Sequence, residues 1–133
     1  MAQLIDTSVL IAVERQGRSL ADLRAELTGE DIAIAAITAS ELLVGTHFAD
    51  AARRQQREAY VEDVLESIAL VYFDLHVARI HARLVYEMSR AGLQIGAHDL
   101  QIAATAVAYD YGLATLNVRE FRRVPGLSVY PYP

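Results

Sequence analysis

Short runs of apolar, β-forming residues alternate with longer runs of helical periodicity, and this alternation restricts the fold more than any other feature of the chain. It predicts an α/β fold: a central parallel sheet of four to five strands flanked by helices, in an α/β/α sandwich. The predicted strands are residues 2–5, 32–37, 68–73, 113–116 and, at an edge of the sheet, 127–130. The predicted helices are residues 7–15, 19–27, 38–47, 50–66, 74–90 and 98 or 99–111.

Helix boundaries are marked by capping residues and glycines. Asp50 and Asp74 stand where N-caps are expected, because an aspartate side chain accepts a hydrogen bond from the first turn of a helix. The pair Thr28-Gly29 is predicted to close the helix over 19–27, and Gly112 to stop the helix that ends near residue 111. These boundary residues recur along the whole chain, and no shift in composition marks a second domain. Residues 1–133 are therefore predicted to form one domain.

Composition excludes several classes of protein. There are no cysteines, which rules out disulfides, thiolate zinc sites and cysteine nucleophiles and fits a cytoplasmic protein. No run reaches the roughly 18 apolar residues of a membrane helix, so no membrane association is expected. The net charge of −5 excludes binding of nucleic acid by bulk charge. All 12 basic residues are arginines, however, and clustered arginines still bind phosphate.

Three carboxylates follow predicted strands or open helices. Asp6 ends the first strand, Glu41 lies just after the second, and Asp99 opens the alanine-rich helix. Ligands bind at the carboxyl ends of strands in an open parallel sheet, so these side chains are expected to converge there. Converging carboxylates repel each other, and a divalent cation removes the repulsion. The spacing therefore indicates a metal-dependent catalytic site.

Each carboxylate also has a structural explanation. Asp6 and Asp99 both stand where an N-cap is expected. Thr38 and Glu41 have the spacing of a capping box, with threonine at the N-cap and glutamate three residues later. His98, at a helix start, is expected to be structural or exposed.

The stretch after the fourth strand offers a fourth site position. Asn117 and Glu120 both lie within a few residues of the strand end, and either would complete the acid cluster. Arg119 is a candidate for phosphate binding, with a solvated loop as the alternative. Phe121 is expected to anchor this stretch in the core.

Other chemistries lack their motifs. No glycine-rich phosphate loop and no nucleophile elbow occur. Ser8 stands where haloacid-dehalogenase-like enzymes carry a second aspartate, which disfavours that chemistry. A receiver-like phospho-acceptor would need a lysine, and the chain has none.

Four motifs in order resemble the PIN-domain family, and their spacing resembles VapC-type toxins of bacterial toxin–antitoxin pairs. The motifs are Leu-Ile-Asp-Thr-Ser at residues 4–8, Thr-x-Ser-Glu-Leu at 38–42, His-Asp-Leu-x-Ile-Ala-Ala-Thr-Ala at 98–106 and Thr-Leu-Asn-x-x-Glu-Phe at 115–121. The resemblance covers essentially the whole chain. It implies a single PIN-like domain with Mg²⁺- or Mn²⁺-dependent endoribonuclease activity.

The resemblance also assigns roles to individual residues. Asp6, Glu41 and Asp99 match the family's three core acids, which are catalytic and bind the metal. Glu120 is favoured as the fourth acid, because Asn117 stands where many relatives have aspartate. The positions that match supporting or substrate-binding roles are Thr7, Ser8, Thr115, Asn117 and Arg119.

The implied reaction is hydrolysis of an RNA phosphodiester bond by a metal-activated water, which leaves a 5′-phosphate. The implied substrate is a tRNA, rRNA or mRNA, and its cleavage inhibits translation and growth. The resemblance further implies a homodimer and a cognate VapB-like antitoxin, which would lie in a groove near the N-terminal helices. The asparagine at residue 117 leaves an alternative open: a PIN-like domain that binds RNA or protein without cutting.

Overall fold

The computed structural model describes residues 2–27 and 30–132. The predicted closing pair Thr28-Gly29 lies outside these residues. The strands are β1 Gln3–Ile5, β2 Ile32–Ala35, β3 Ala69–Val71, β4 Gly112–Thr115 and β5 Val129–Pro131. The helices are α1 Thr7–Arg15, α2 Leu20–Glu26, α3 Ala36–Phe48, α4 Ala51–Ser67, α5 Leu75–Arg90, α6 Ala97–Ala108 and the short α7 Val118–Phe121.

The strands form one parallel sheet in the order β3-β2-β1-β4-β5, as the alternating pattern predicts. The chain builds outward from β1 in one direction through β2 and β3, and later places β4 and β5 on the other side. The order of strands therefore reverses between β1 and β4, and a crevice forms at the carboxyl ends of strands at such a point. β5 is an edge strand, as predicted, but it begins two residues later and ends one residue later than expected.

Successive residues of each strand enter different cores, because side chains alternate between the faces of a sheet. Ile5 and Ile34 pack with α1, α2 and α4 on one face. Leu4 and Leu113 pack with α5 and α6 on the other face. Phe121 is fully buried in this second core, which confirms its predicted role as an anchor. The two cores give the predicted three-layer arrangement.

Two N-caps are confirmed by hydrogen bonds. Asp50 accepts from the backbone N–H of Arg53 at 3.0 Å, and Asp74 accepts from that of Val77 at 2.9 Å. A membrane span would need a longer and more apolar helix than any found in residues 2–27 and 30–132.

Several predicted boundaries are wrong. β2 ends at Ala35 rather than residue 37, and α3 begins at Ala36 rather than at Thr38. Short apolar runs suit a strand and a buried helix equally, so periodicity does not separate the two. Gly112 lies inside β4 rather than stopping a helix, and a Cβ there would lie 2.7 Å from Cδ2 of Tyr130. The turn before it is made instead by Asp110, whose φ is 58°.

Candidate functional site

The three carboxylates approach one end of the sheet from three different elements. Asp6 follows β1, Glu41 lies on α3 just beyond β2, and Asp99 lies in the first turn of α6. Contacts between α3 and α6 bring the two helices together over this end. The crevice expected where the strand order reverses is therefore lined by acids.

Asp6 is held by hydroxyl groups from both sides of the crevice. It is 2% exposed, and its Oδ2 accepts hydrogen bonds from Ser8 Oγ at 2.6 Å and from Thr115 Oγ1 at 2.8 Å. Both hydroxyl oxygens accept backbone N–H groups in turn: Leu116 N donates to Ser8 at 3.3 Å and Asn117 N donates to Thr115 at 2.9 Å. The end of β4 therefore orients Asp6 through two hydroxyl bridges.

Asp6 occupies the predicted N-cap position, but its side chain does not act as a cap. Its backbone occupies the N-cap position of α1, but its side chain makes no capping hydrogen bond. The oxygen is used instead by Ser8 and Thr115, so the side chain is directed to the crevice by bonds unrelated to helix capping.

Glu41 is held by Thr7, and the predicted capping box is wrong. Thr7 Oγ1 donates to Glu41 Oε1 at 2.7 Å, and the hydroxyls of Thr7 and Thr38 are 3.1 Å apart. The N-cap of α3 is Ala35, so Thr38 lies inside the first turn, fully buried. Thr7 has a single hydroxyl proton, which it donates in the hydrogen bond to Glu41. The Thr38 hydroxyl therefore donates to the Thr7 oxygen. The two threonines thus support a carboxylate rather than a helix end.

Asp99 is half-buried and lies close to other acids. Burial, together with the negative charges of Asp6, Glu120 and Glu41, raises the pKa of its carboxyl to about 6, while His98 acts in the opposite direction. The N-cap of α6 is Gly96, so the predicted capping role of Asp99 is wrong. An acid that shares a site with like charges gives up its proton less readily.

His98 is exposed, as expected, but it is not isolated. Its Nδ1 lies 3.4 Å from Glu41 Oε2 at the mouth of the site. When protonated, the imidazolium partly offsets the negative charge of the acids.

Glu120 and Asn117 behave differently at the fourth position. Glu120 lies near enough to Asp99 for its charge to raise the pKa of Asp99. Asn117 contributes its backbone N–H to Thr115 and makes no side-chain cap for α7. Arg119 is exposed on α7 and forms no hydrogen bond or ion pair with the described residues. Of these three side chains, that of Glu120 is the one that acts on the acid cluster.

The donor set suits a hard divalent cation, although the site is not a closed cage. Among residues 2–27 and 30–132, no group of three or more histidines and acids is arranged so that it would hold a metal ion by itself. Mg²⁺ is usually bound through one or two carboxylates and keeps several waters, so it does not require such a cage. Burial is the main cause of the raised pKa of Asp99, and the negative charges of its acidic neighbours, which a cation would offset, add to it.

Thr38 and His98 lie at the site although the sequence predicts other roles for them. The cap predicted at Thr38 is wrong because α3 begins two residues earlier than its apolar pattern indicates. With α3 beginning at Ala36, Thr38 and Glu41 are three residues apart within one helix and share a face. No sequence signal pairs His98 with Glu41, since their contact depends on how α3 packs against α6.

Comparison with known proteins identifies the family. The sequence profile of the PIN domain matches residues 4–127. A ribonuclease VapC of Rickettsia bellii is 34% identical over 134 residues, which cover 100% of this chain and 98% of that protein. VapBC from Salmonella typhimurium, solved bound to DNA, aligns with a TM-score of 0.88 at 25% identity over 98% of each chain. VapBC2 from Rickettsia felis, solved bound to a DNA fragment from the promoter, shares the fold with a TM-score of 0.89 at 24% identity over the full length of both chains. The chain is therefore a member of the PIN-domain family, of the VapC type.

Proposed function

We propose that this protein is a metal-dependent endoribonuclease and the toxin of a type II toxin–antitoxin pair. The observation that carries the proposal is the convergence of Asp6, Glu41 and Asp99 in the crevice at the carboxyl ends of the strands, marked by the raised pKa of Asp99. The names of relatives support it, since a 34% identical protein is named ribonuclease VapC.

In the proposed reaction three acids share one role, and the neighbouring side chains have supporting roles. Asp6, Asp99 and Glu41 would hold Mg²⁺ or Mn²⁺, which when bound polarises the phosphate and lowers the pKa of water. Ser8 and Thr115 fix the orientation of Asp6, and Thr7 fixes that of Glu41. Glu120, whose charge raises the pKa of Asp99, would accept a proton or complete the ligand set. These contacts hold the acids in position before RNA arrives, which reduces the reorganisation needed on binding.

The biological setting follows from the same relatives. Neighbours of this fold were solved as VapBC complexes, so we propose a cognate antitoxin of the VapB type as partner. RNA cleavage in the cytoplasm would then inhibit translation and growth until the antitoxin is bound. A homodimer is part of the proposal, as the family resemblance implies.

Two features favour a second function. Asn117 is neutral at a position where the family resemblance implies an acid, and the acids do not form a closed cage among the described residues. These features suit a PIN-like domain that binds RNA or protein without cutting it.

The decisive experiment combines cleavage with metal titration. The purified protein should cut cellular RNA with Mg²⁺ or Mn²⁺ and leave 5′-phosphate ends, which 5′-end mapping detects. Asp6→Asn and Asp99→Asn should each lower the rate by at least ~100-fold, since several kcal/mol of transition-state stabilisation depend on the metal site.

The matched control is Asp31→Asn, which removes the same charge from an exposed position before β2, away from the crevice. It should cleave like the unmodified protein. Calorimetry should detect Mn²⁺ binding that Asp99→Asn weakens. Absence of Mn²⁺ binding at millimolar concentration, together with RNA binding but no cleavage, would favour the second function.

A further inference from the structure

A cavity of about 510 Å³ lies between the end of α1 and the first half of α4, and arginine is the most frequent residue in its wall. Four of the 12 basic residues of the chain line it: Arg15, Arg18, Arg53 and Arg57. One glutamate, Glu14, lines it as well. In a chain with a net charge of −5, this is a local concentration of positive charge.

Internal pairing leaves two of these arginines unneutralised. Arg57 Nε pairs with Glu14 Oε2 at 2.8 Å, and Arg18 pairs with Glu26. Arg15 and Arg53 are exposed, and their guanidinium groups form no hydrogen bond or ion pair with the described residues. Two planar donor groups therefore line one cavity without a partner, and such groups bind phosphate or carboxylate in a bidentate manner.

Helices α1 and α3 connect the cavity to the acid cluster. A Cβ at Gly45 would lie 3.5 Å from Arg57 Nη1, so this guanidinium rests against α3. Gly45 is four residues after Glu41, hence one turn along the same face of α3. On α1, Arg15 follows Thr7 by eight residues, about 12 Å along the helix. A strand of a few nucleotides spans this separation.

The acid cluster needs a source of affinity for RNA elsewhere on the surface. Carboxylates repel a phosphate backbone, and the protein as a whole is negative. Proteins that bind single strands use a positive groove that tracks the backbone, and phosphate contacts fix the position of the strand. The arginine-lined cavity supplies positive charge beside α3, the helix that carries Glu41.

We propose that this cavity binds a backbone phosphate of the RNA strand whose scissile bond lies at Asp6, Glu41 and Asp99. Arg15 and Arg53 would contact the phosphate directly. Arg57 is held by Glu14 and shapes the wall. The inference rests on the proposed nuclease function, because it takes the strand from the acid cluster to the cavity.

The test measures RNA affinity without cleavage. The probe is a fluorescein-labelled oligouridylate of about 12 nucleotides, in the Asp99→Asn background and with EDTA. Adding Arg15→Gln and Arg53→Gln together should raise Kd roughly tenfold at 0.1 M NaCl. The slope of log K against log salt should become shallower by about 0.7 for each phosphate that the protein no longer neutralises.

The matched control is the pair Arg79→Gln and Arg83→Gln on α5, which removes the same charge from exposed positions outside the cavity. It should leave the salt slope nearly unchanged. Thermal unfolding should be equal in both double variants, since Arg15 and Arg53 are exposed.

Two outcomes would overturn the inference, and a third would support it independently of nuclease activity. Equal Kd and equal slope in the two double variants would overturn it even if the unmodified protein cleaves RNA. Unchanged RNA affinity with weakened binding of the purified cognate antitoxin would also overturn it and assign the cavity to a protein partner. A loss of affinity in the cavity variant alone supports the RNA site, even if the unmodified protein proves inactive as a nuclease.

Discussion

The ionised carboxylate of Asp99 lowers the free energy of unfolding, and the size of this effect depends on pH. Its pKa of about 6 in the folded protein lies above the ordinary value of 3.8, so the folded state holds the proton more tightly than the unfolded chain. The stability that this protonation contributes is fully present below about pH 4 and is lost as pH rises through 6. The carboxylate that we propose as a metal ligand therefore lowers the stability of the fold at neutral pH.

Asp99→Asn should recover that stability. In metal-free buffer at pH 7.5, the variant should gain about 1 kcal/mol in its free energy of unfolding, a figure reduced for solvent screening because Asp99 is half-buried. The gain should shrink towards pH 4, where the wild-type carboxyl is protonated in the folded state. Urea unfolding between pH 4 and 8 measures it. A gain that is constant over this range would contradict the raised pKa.

At the scale of elements, the segment from the end of β4 to α7 controls the geometry of Asp6. Thr115 is fully buried at the end of β4. Among the described residues, it is the only strand residue that donates a hydrogen bond to the Asp6 carboxylate. It in turn accepts the N–H of Asn117, so the segment acts on the site mainly through its backbone.

Thr115→Val should separate this positioning role from folding. Valine keeps the shape and removes the hydroxyl, so the buried carboxylate loses one of its two hydrogen bonds at a cost of about 1–3 kcal/mol. RNA cleavage should fall by about tenfold or more. Thr115→Ser, which keeps the hydroxyl, should restore most of the activity, whereas equal losses in both variants would indicate a packing defect.

The sequence predicted the elements better than their ends. Five strands, the caps Asp50 and Asp74 and the buried Phe121 follow from local periodicity and side-chain chemistry. The start of α3 does not, because apolar residues at the end of β2 fit either state. The short α7 was missed, since its four residues are too few to show a period.

The sequence predicts the acids of the candidate site but not the hydrogen bonds that hold them. Asp6 and Glu41 stand out because they follow buried strands, and Asp99 stands out because it opens an alanine-rich helix. The bonds between Thr7 and Glu41 and between Thr115 and Asp6 join positions 34 and 109 residues apart. Such contacts depend on strand order and helix packing, which no local pattern specifies.

At the scale of the whole molecule, α3 carries exposed apolar side chains, and we expect them to form the interface of the proposed homodimer. Leu43, Val44 and Phe48 are 39%, 48% and 86% exposed on this helix. Large apolar side chains grouped on one exposed face are typical of an interaction surface. The same helix carries Glu41, so association there would place the interface near the acids.

Phe48→Glu should weaken the proposed homodimer, because a charge in an apolar interface must be desolvated. Size-exclusion chromatography with light scattering should show a dimer for the unmodified protein at micromolar concentration and a shift towards monomer for the variant. Phe48→Leu keeps the apolar surface and should stay dimeric. A monomeric unmodified protein, or a Phe48→Glu variant that remains fully dimeric, would contradict the assignment.

The bridge from Thr115 to Asp6 has a consequence for how the protein is made. Ribosomes deliver the chain from its N-terminus, so Asp6, Glu41 and Asp99 all emerge before the segment that orients Asp6. A nascent chain that has emerged only as far as α6 lacks the Thr115 hydroxyl and the β4 strand beside β1. Under the proposed function, the nuclease would remain incompetent beside the ribosome that synthesises it, and its activity would begin only after the last part of the sheet has joined.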